Sequence, residues 1–212
     1  MKRKFRNFKI TRTCDKSYKN YSTYKNALRK DFKGRCAYCN LLESSITTPF
    51  EVDHYIPRDV FKDNWPELDT LYENLIFSCK KCNIAKSNQF TGDISTKKIN
   101  NEDFYNPTEV DYGEIFYRND AGGIDSDNPK GKSMITKLKL YKPIHNMAWL
   151  CECINNTIDK IDNKITSMNE ESPEKNLLME AKGELNDYYR LCNKIFQANY
   201  NNDKFEIVKN EK

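Results

Sequence analysis

The sequence predicts an α+β protein: a small core of short strands and a short helix clamped by thiolates, then a long helical hairpin. Two Cys-x-x-Cys pairs, Cys36/Cys39 and Cys79/Cys82, enclose the mixed apolar and polar run Phe50-Glu-Val-Asp-His54. Further along, between residues 147 and 195, apolar side chains recur in alternating steps of four and three, the spacing of a seam between paired helices. Between these two regions lies an irregular stretch rich in Asn, Asp and Gly.

Composition narrows the class. Of the 212 residues, 38% are hydrophobic and 31% charged, which is enough to bury a modest core. No apolar run approaches the roughly 20 residues that span a bilayer, so no membrane association is expected. The opening Met-Lys-Arg-Lys-Phe-Arg-Asn-Phe-Lys is basic and lacks the apolar stretch and small-residue cleavage site of a secretory signal. A cytoplasmic location is expected, where cysteines serve as metal ligands more often than as disulfides.

Four regions follow in order. Residues 1–33 form a basic arm and a short helix. The first 40 residues hold 13 Lys/Arg against 2 Asp/Glu, interleaved with Phe5, Phe8, Tyr18, Tyr21, Tyr24 and Phe32. Cations among aromatics suit a phosphate backbone, and a solvated tail is the plainer alternative. Leu28 and Phe32 predict a short amphipathic helix that Gly34 ends. Residues 34–95 form the thiolate-clamped core. Residues 96–143 are irregular, with Glu114-Ile-Phe-Tyr-Arg118 read as a strand and Asn119-Asp-Ala-Gly-Gly123 as the turn after it. Residues 144–212 form the helical hairpin. Its stripes are Met147, Cys151, Ile154, Ile158, Ile161, Ile165 and Met168, then Leu178, Ala181, Leu185, Tyr188, Cys192 and Ile195. Ser172-Pro173-Glu174 supplies an N-cap, a proline at the first helical position and an early acid. The stripes pack on each other or, in part, against a protein partner. His145 is read as a surface or helix-start residue.

The chemistry lies in the clamped core. Two Cys-x-x-Cys knuckles deliver four thiolates at tetrahedral zinc geometry. Thirty-nine residues separate Cys39 from Cys79, too many for a compact ribbon, so the ion would staple an enclosed structure. A redox dithiol pair is the weaker reading, because no thioredoxin-like pattern surrounds either motif. Phe50 to His54 reads as a strand running into a loop at Pro57. An imidazole suits removal of a proton from water near neutral pH, and the neighbouring Asp53 offers a hard oxygen to Mg²⁺. Residues 79–88 read as a helix starting at the second knuckle, which places Asn83 and Lys86 on one face.

Cys36-x-x-Cys39, Glu51-Val-Asp-His54, Asn74-Leu75 and Cys79-x-x-Cys82-Asn83-x-x-Lys86 together resemble the HNH endonuclease family, with its ββα-metal fold, over about residues 34–90. The resemblance implies that His54 is the general base and that Asp53 and Asn83 hold one divalent ion. It implies that Asn74 pins the loop orienting His54, and that Cys36, Cys39, Cys79 and Cys82 bind structural Zn²⁺. Asn at position 83, where the family often has His, points to Mg²⁺ or Mn²⁺. Arg58 and Lys86 are the expected phosphate contacts, and DNA the expected substrate. The resemblance extends to phage-defence members of the Septu type, which work beside an ATPase, and the C-terminal helices are the expected docking surface for that partner. Restriction or homing enzymes acting alone, and a non-catalytic zinc-stabilised nucleic-acid-binding module, are the alternatives. Ser126-Asp-Asn-Pro-Lys-Gly-Lys-Ser133 ends like a P-loop but lacks the leading glycine and a preceding apolar strand, so ATP binding by this chain is not expected.

Overall fold

A computed structural model describes residues 2–169, 172–200, 202 and 205–206. The chain forms two compact units, residues 1–141 and 142–212. The last six residues of the expected hairpin region, 207–212, lie outside the described residues. Among the described residues, no helix is long and apolar enough to cross a membrane.

In the first unit, β1 (Arg3–Lys4) is followed by extended chain. A single 3₁₀ turn at Tyr21–Tyr24, capped by the Asn20 side chain, leads into α1 (Lys25–Asp31). Leu28 and Phe32 are buried, and α1 ends as expected: Lys33 and Gly34 have φ of 52° and 65°, and Gly34 N–H bonds the Arg29 carbonyl at 2.7 Å. That reversal opens the first cysteine knuckle.

The core is β2 (Glu51–His54), α2 (Arg58–Phe61), β3 (Leu75–Ser78) and α3 (Lys80–Lys86). β2 and β3 are antiparallel, with Glu51 opposite Ser78 and His54 opposite Leu75. β3 is buried along its length and apolar up to Ser78, while β2 carries Glu51, Asp53 and His54, its first two residues half-buried and its last two buried. The first knuckle joins this ribbon through Ala37 N–H to the Phe77 carbonyl, at 2.9 Å. α3 starts at Cys79, as expected, but stops at Lys86 short of residue 88, because Ser87 takes φ 48°, ψ −138°.

The middle region is more ordered than its composition foretells. α4 (Tyr112–Ile115) occupies the first two residues of the expected strand, because Asp111 caps it by accepting Gly113 N–H at 2.8 Å. The strand shrinks to β4 (Tyr117–Arg118), which turns through Asn119 to Gly123 into β5 (Ile124–Asp125). β4 also pairs with β1, giving the order β1-β4-β5. The P-loop-like string is the start of α5 (Pro129–Lys137), with Asn128 as N-cap and Pro129 at the first position. Its glycine is steric: a Cβ on Gly131 would lie 2.3 Å from Ser126 Oγ, which itself donates to the Ile115 carbonyl at 2.7 Å.

The second unit is α6 (Pro143–Thr166) and α7 (Pro173–Tyr200). Ion pairs Lys164–Glu174 and Asp162–Lys182 step in opposite directions along the two helices, so the pair is antiparallel. The α6 stripe is covered as expected, with Cys151 and Ile158 buried. The α7 stripe is shifted: Ala181 and Tyr188 are exposed, Tyr188 at 60%, whereas Lys182, Tyr189 and Phe196 are covered. The seam therefore runs 178, 182, 185, 189, 192, 196, and the Lys182 stem fills one place while its ammonium reaches Asp162. His145 sits in the first turn of α6 but is buried, contrary to a surface position.

Candidate active site and metal centre

Cys36 and Cys39 come from the first knuckle, and Cys79 and Cys82 from the start of α3. All four are buried, and their sulfurs lie within 4.8 Å of one another. The Cys39 and Cys79 sulfurs are 3.8 Å apart. Four thiolates bound at about 2.3 Å around a tetrahedral Zn²⁺ would be separated by about 3.8 Å, so the donor set fits that ion. Burial pushes the Cys36 thiol up, but bonds from the other three sulfurs outweigh it and hold its pKa well below the usual range. Those bonds hold Cys39 and Cys82 well above it. Four sulfurs crowded in the interior are the setting in which a central cation favours thiolates.

Two buried arginines close over the first knuckle. Arg6 donates to the carbonyls of Ala37 at 2.6 Å and Cys36 at 3.3 Å, and to the Asn40 side chain at 3.2 Å. Arg118 reaches the Cys39 carbonyl at 3.5 Å and the Gly122 carbonyl at 3.0 Å. Arg12 binds the carbonyls of Glu73 and Leu75. Of the arm cations, Arg6 and Arg12 are thus bound into the fold, whereas Lys2, Arg3, Lys4 and Lys9 are exposed.

Strand alternation sorts the acid/base groups. Glu51 and Asp53 share one side of β2, facing α3, and His54 takes the other side. Asp53 is buried; Oδ2 accepts from the Tyr38 hydroxyl at 2.7 Å and Oδ1 from Lys86 Nζ at 3.0 Å. Lys86 also donates to the His54 carbonyl at 2.7 Å. Asn83, one turn earlier on α3, donates its amide to Glu51 Oε2 at 2.7 Å. Two carboxylates and an amide oxygen on one face are an all-oxygen set, the chemistry of Mg²⁺ or Mn²⁺ and not of softer ions.

His54 is buried between Tyr21, whose ring meets it edge-on at 4.8 Å, and Phe61 at 5.7 Å. Its Nε2 lies 3.0 Å from the Asp69 carbonyl and 3.3 Å from Asp69 Oδ1. Burial lowers its pKa, against the opposing pull of Asp69. Arg58 Nε reaches Asp69 Oδ1 at 2.8 Å, and its guanidinium lies over Tyr21 while remaining 56% exposed. Asn74 is wholly buried: Oδ1 accepts Ile56 N–H at 2.8 Å, and Nδ2 donates to the carbonyls of Ile56 at 3.3 Å and Leu68 at 3.2 Å. It thus ties the chain leaving β2 to the turn before Asp69.

The structure brings Asp53, Asn83 and Lys86 together between β2 and α3, with His54 and Arg58 grouped around Asp69. Lys86 departs from expectation: at 1% exposure it meets Asp53 in the interior and is not a surface phosphate contact. Four residues of the cluster escaped the sequence reading. Glu51 had a signal, since a residue two before Asp53 shares its face. Tyr38, inside the knuckle, and Tyr21 and Asp69, in turns, had none.

Comparison with known proteins follows the same residues. The family model described as HNH endonuclease matches residues 36–89. Septu protein PtuB of Bacillus mycoides (strain KBAB4) is 27% identical over 154 residues, 63% of this chain and 52% of the relative. Septu protein PtuB of Bacillus thuringiensis is 34% identical over 84 residues, 40% of this chain and 28% of the relative. The chain thus spans about half the length, or less, of these curated relatives. No solved structure matches it. The stretch 36–89 that matches the HNH endonuclease model holds the paired cysteine knuckles, β2, β3 and α3 in sequence.

Proposed function

We propose that this protein is a metal-dependent endonuclease that hydrolyses phosphodiester bonds in DNA. The observation that carries the reading is the setting of His54. Donation from Nε2–H to the Asp69 carbonyl fixes one tautomer and leaves Nδ1 with the lone pair that takes a proton from water. Burial lowers its pKa, which favours the neutral, proton-accepting ring. Asn74 acts as a positioning residue, because it holds the loop that carries Asp69 against the end of β2. Asp53 and Asn83 would hold Mg²⁺ or Mn²⁺; when bound, that ion supplies Lewis-acid stabilisation of the charge developing on the leaving oxygen. Arg58 presents an exposed guanidinium beside His54, where a phosphate would lie. Cleavage leaves 5′-phosphate and 3′-hydroxyl ends, and Zn²⁺ on the four cysteines holds α3 to the ribbon.

In the cell we place the enzyme in defence against phage, on the strength of its similarity to two Septu proteins. A protein partner, an ATPase, is proposed to dock on the C-terminal helices. Leu177, Tyr188 and Leu191 support this, since they are exposed and share one face of α7.

Plasmid DNA incubated with Mg²⁺ or Mn²⁺ tests the nuclease. The wild type is expected to cut, and His54→Ala to bind DNA without cutting, with a loss of at least 100-fold. If His54→Ala cuts at the wild-type rate, the assignment of the base is wrong. Binding without cleavage by the wild type, with or without co-purified partners and on RNA as well as DNA, would favour the non-catalytic module.

A further inference from the structure

Lys86 is an unusual group. A lysine at 1% exposure has given up its hydration, and its ammonium is held by Asp53 Oδ1 and the His54 carbonyl. Isolated burial of this kind is costly unless the charge is paired, so Lys86 and Asp53 depend on each other. The backbone enforces the pairing. α3 ends immediately after Lys86 on Ser87, whose φ of 48° and ψ of −138° suit glycine and strain any other residue. That strained residue turns the chain away while the last turn of α3, with Lys86, stays pressed to β2.

We infer that Lys86 sets the divalent-cation affinity of the face formed by Glu51, Asp53 and Asn83, holding it weak in the protein without nucleic acid. This rests on the reading of Asp53 as a metal ligand. Glu51 and Asp53 bring two negative charges to that face, and Lys86 removes one of them at hydrogen-bond distance. A dication approaching Asp53 meets a carboxylate already neutralised and an ammonium that repels it. Tyr38 adds to the effect by donating to the other Asp53 oxygen. A nucleic-acid phosphate entering the site returns the missing negative charge. Metal and substrate therefore bind with mutual assistance, each raising the affinity for the other. The site becomes loaded where a phosphate is already present, and the ion is not held in advance.

Binding of Mn²⁺ to the full chain, followed by the electron paramagnetic resonance of free Mn²⁺ without nucleic acid, tests this. Lys86→Met removes the charge at similar volume, and Lys86→Gln removes it while keeping a donor. Both are expected to bind Mn²⁺ at least tenfold more tightly than the wild type, and Asp53→Asn to lose this binding. Mn²⁺ should also raise the melting temperature of the Lys86 variants more than that of the wild type. If either variant is unfolded alone, the Mn²⁺ concentration that restores its helical circular dichroism gives the affinity. Unchanged or weaker binding by folded Lys86 variants, or no rescue of unfolded ones, overturns the inference. If Asp53→Asn binds Mn²⁺ like the wild type, Asp53 is not a ligand, and the reading beneath the inference fails by itself.

Discussion

Lys86 and Ser87, adjacent in the chain, show how far single residues can be read from sequence. The cysteines and the pair Asp53-His54 were legible because their chemistry demands particular side chains at particular spacing. Lys86 was legible as a member of the motif but not as a buried ion pair, because helical spacing gives the face and not its depth. Glu51 could have been found by strand alternation, whereas Asp69 and Tyr21 reach His54 through loops whose course no local pattern specifies. Ser87 left no signal either: serine is common at helix ends, and its strain appears only in the backbone angles. Ser87→Gly should relieve that strain and stabilise the protein by about 1 kcal/mol, less the entropy that glycine adds to the unfolded chain. Urea unfolding would check it. A stability loss would mean that the Ser87 conformation carries no strain.

At the scale of elements, helices were easier to foresee than strands. α6 and α7 announce themselves through periodicity and the Ser172-Pro173 start. The precise seam of α7 did not, because a lysine stem can stand in for an apolar residue and Tyr189 competes with Tyr188 for the inward place. α5 was masked by its likeness to a nucleotide loop, although Asn128-Pro129 is a sound helix start. β4 is short because Asp111 captures the preceding residues into α4. One inter-element tie makes a pH prediction. Glu43 accepts Arg29 Nε at 2.6 Å and Nη2 at 3.2 Å, and Phe50 N–H at 3.0 Å, linking α1 to the chain entering β2. The Arg29 bonds, against opposing burial, lower the Glu43 pKa from 4.5. Because the folded-state value is the lower one, the stabilisation is full above about 4.5 and is lost as pH falls through the folded value. With Arg29 40% exposed, it amounts to about 1 kcal/mol. Glu43→Gln should lower stability by that amount at pH 7 and flatten the acid limb measured by thermal melts from pH 6 to 3. An unchanged acid limb would assign the loss to other carboxylates.

For the whole molecule, the four cysteines couple distant segments. The first knuckle bonds β3 through Ala37, the second begins α3, and Arg6 and Arg118 bring the N-terminal arm and the middle region onto the same loop. Removing the proposed Zn²⁺ should therefore disturb far more than residues 36–82. A strong chelator, or Cys79→Ser, is expected to abolish the cooperative unfolding transition of the unit 1–141, with hydrogen exchange rising at β1 and β4 as well as at the knuckles. Circular dichroism from α6 and α7 should persist. Retention of a sharp transition after complete metal loss would show that the staple is dispensable. This long-range organisation was the least legible property of the sequence, since nothing in the basic arm announces a strand or marks Arg6 as a buried clamp.

The pairing of β1 with β4 also orders events during synthesis. Arg3 cannot meet Arg118 until residue 118 has left the ribosome, and closing so long a loop costs entropy that only the finished sheet repays. The cysteine knuckles and the β2–β3 ribbon are complete by Lys86, well before that point. A nascent chain would thus carry Asp53, His54 and Asn83 in place, with the arm already anchored through Arg6 and Arg12, while Arg3 and Lys4 still lack their strand partner. The segment 3–4 is therefore pinned late, by a strand more than a hundred residues further along the chain.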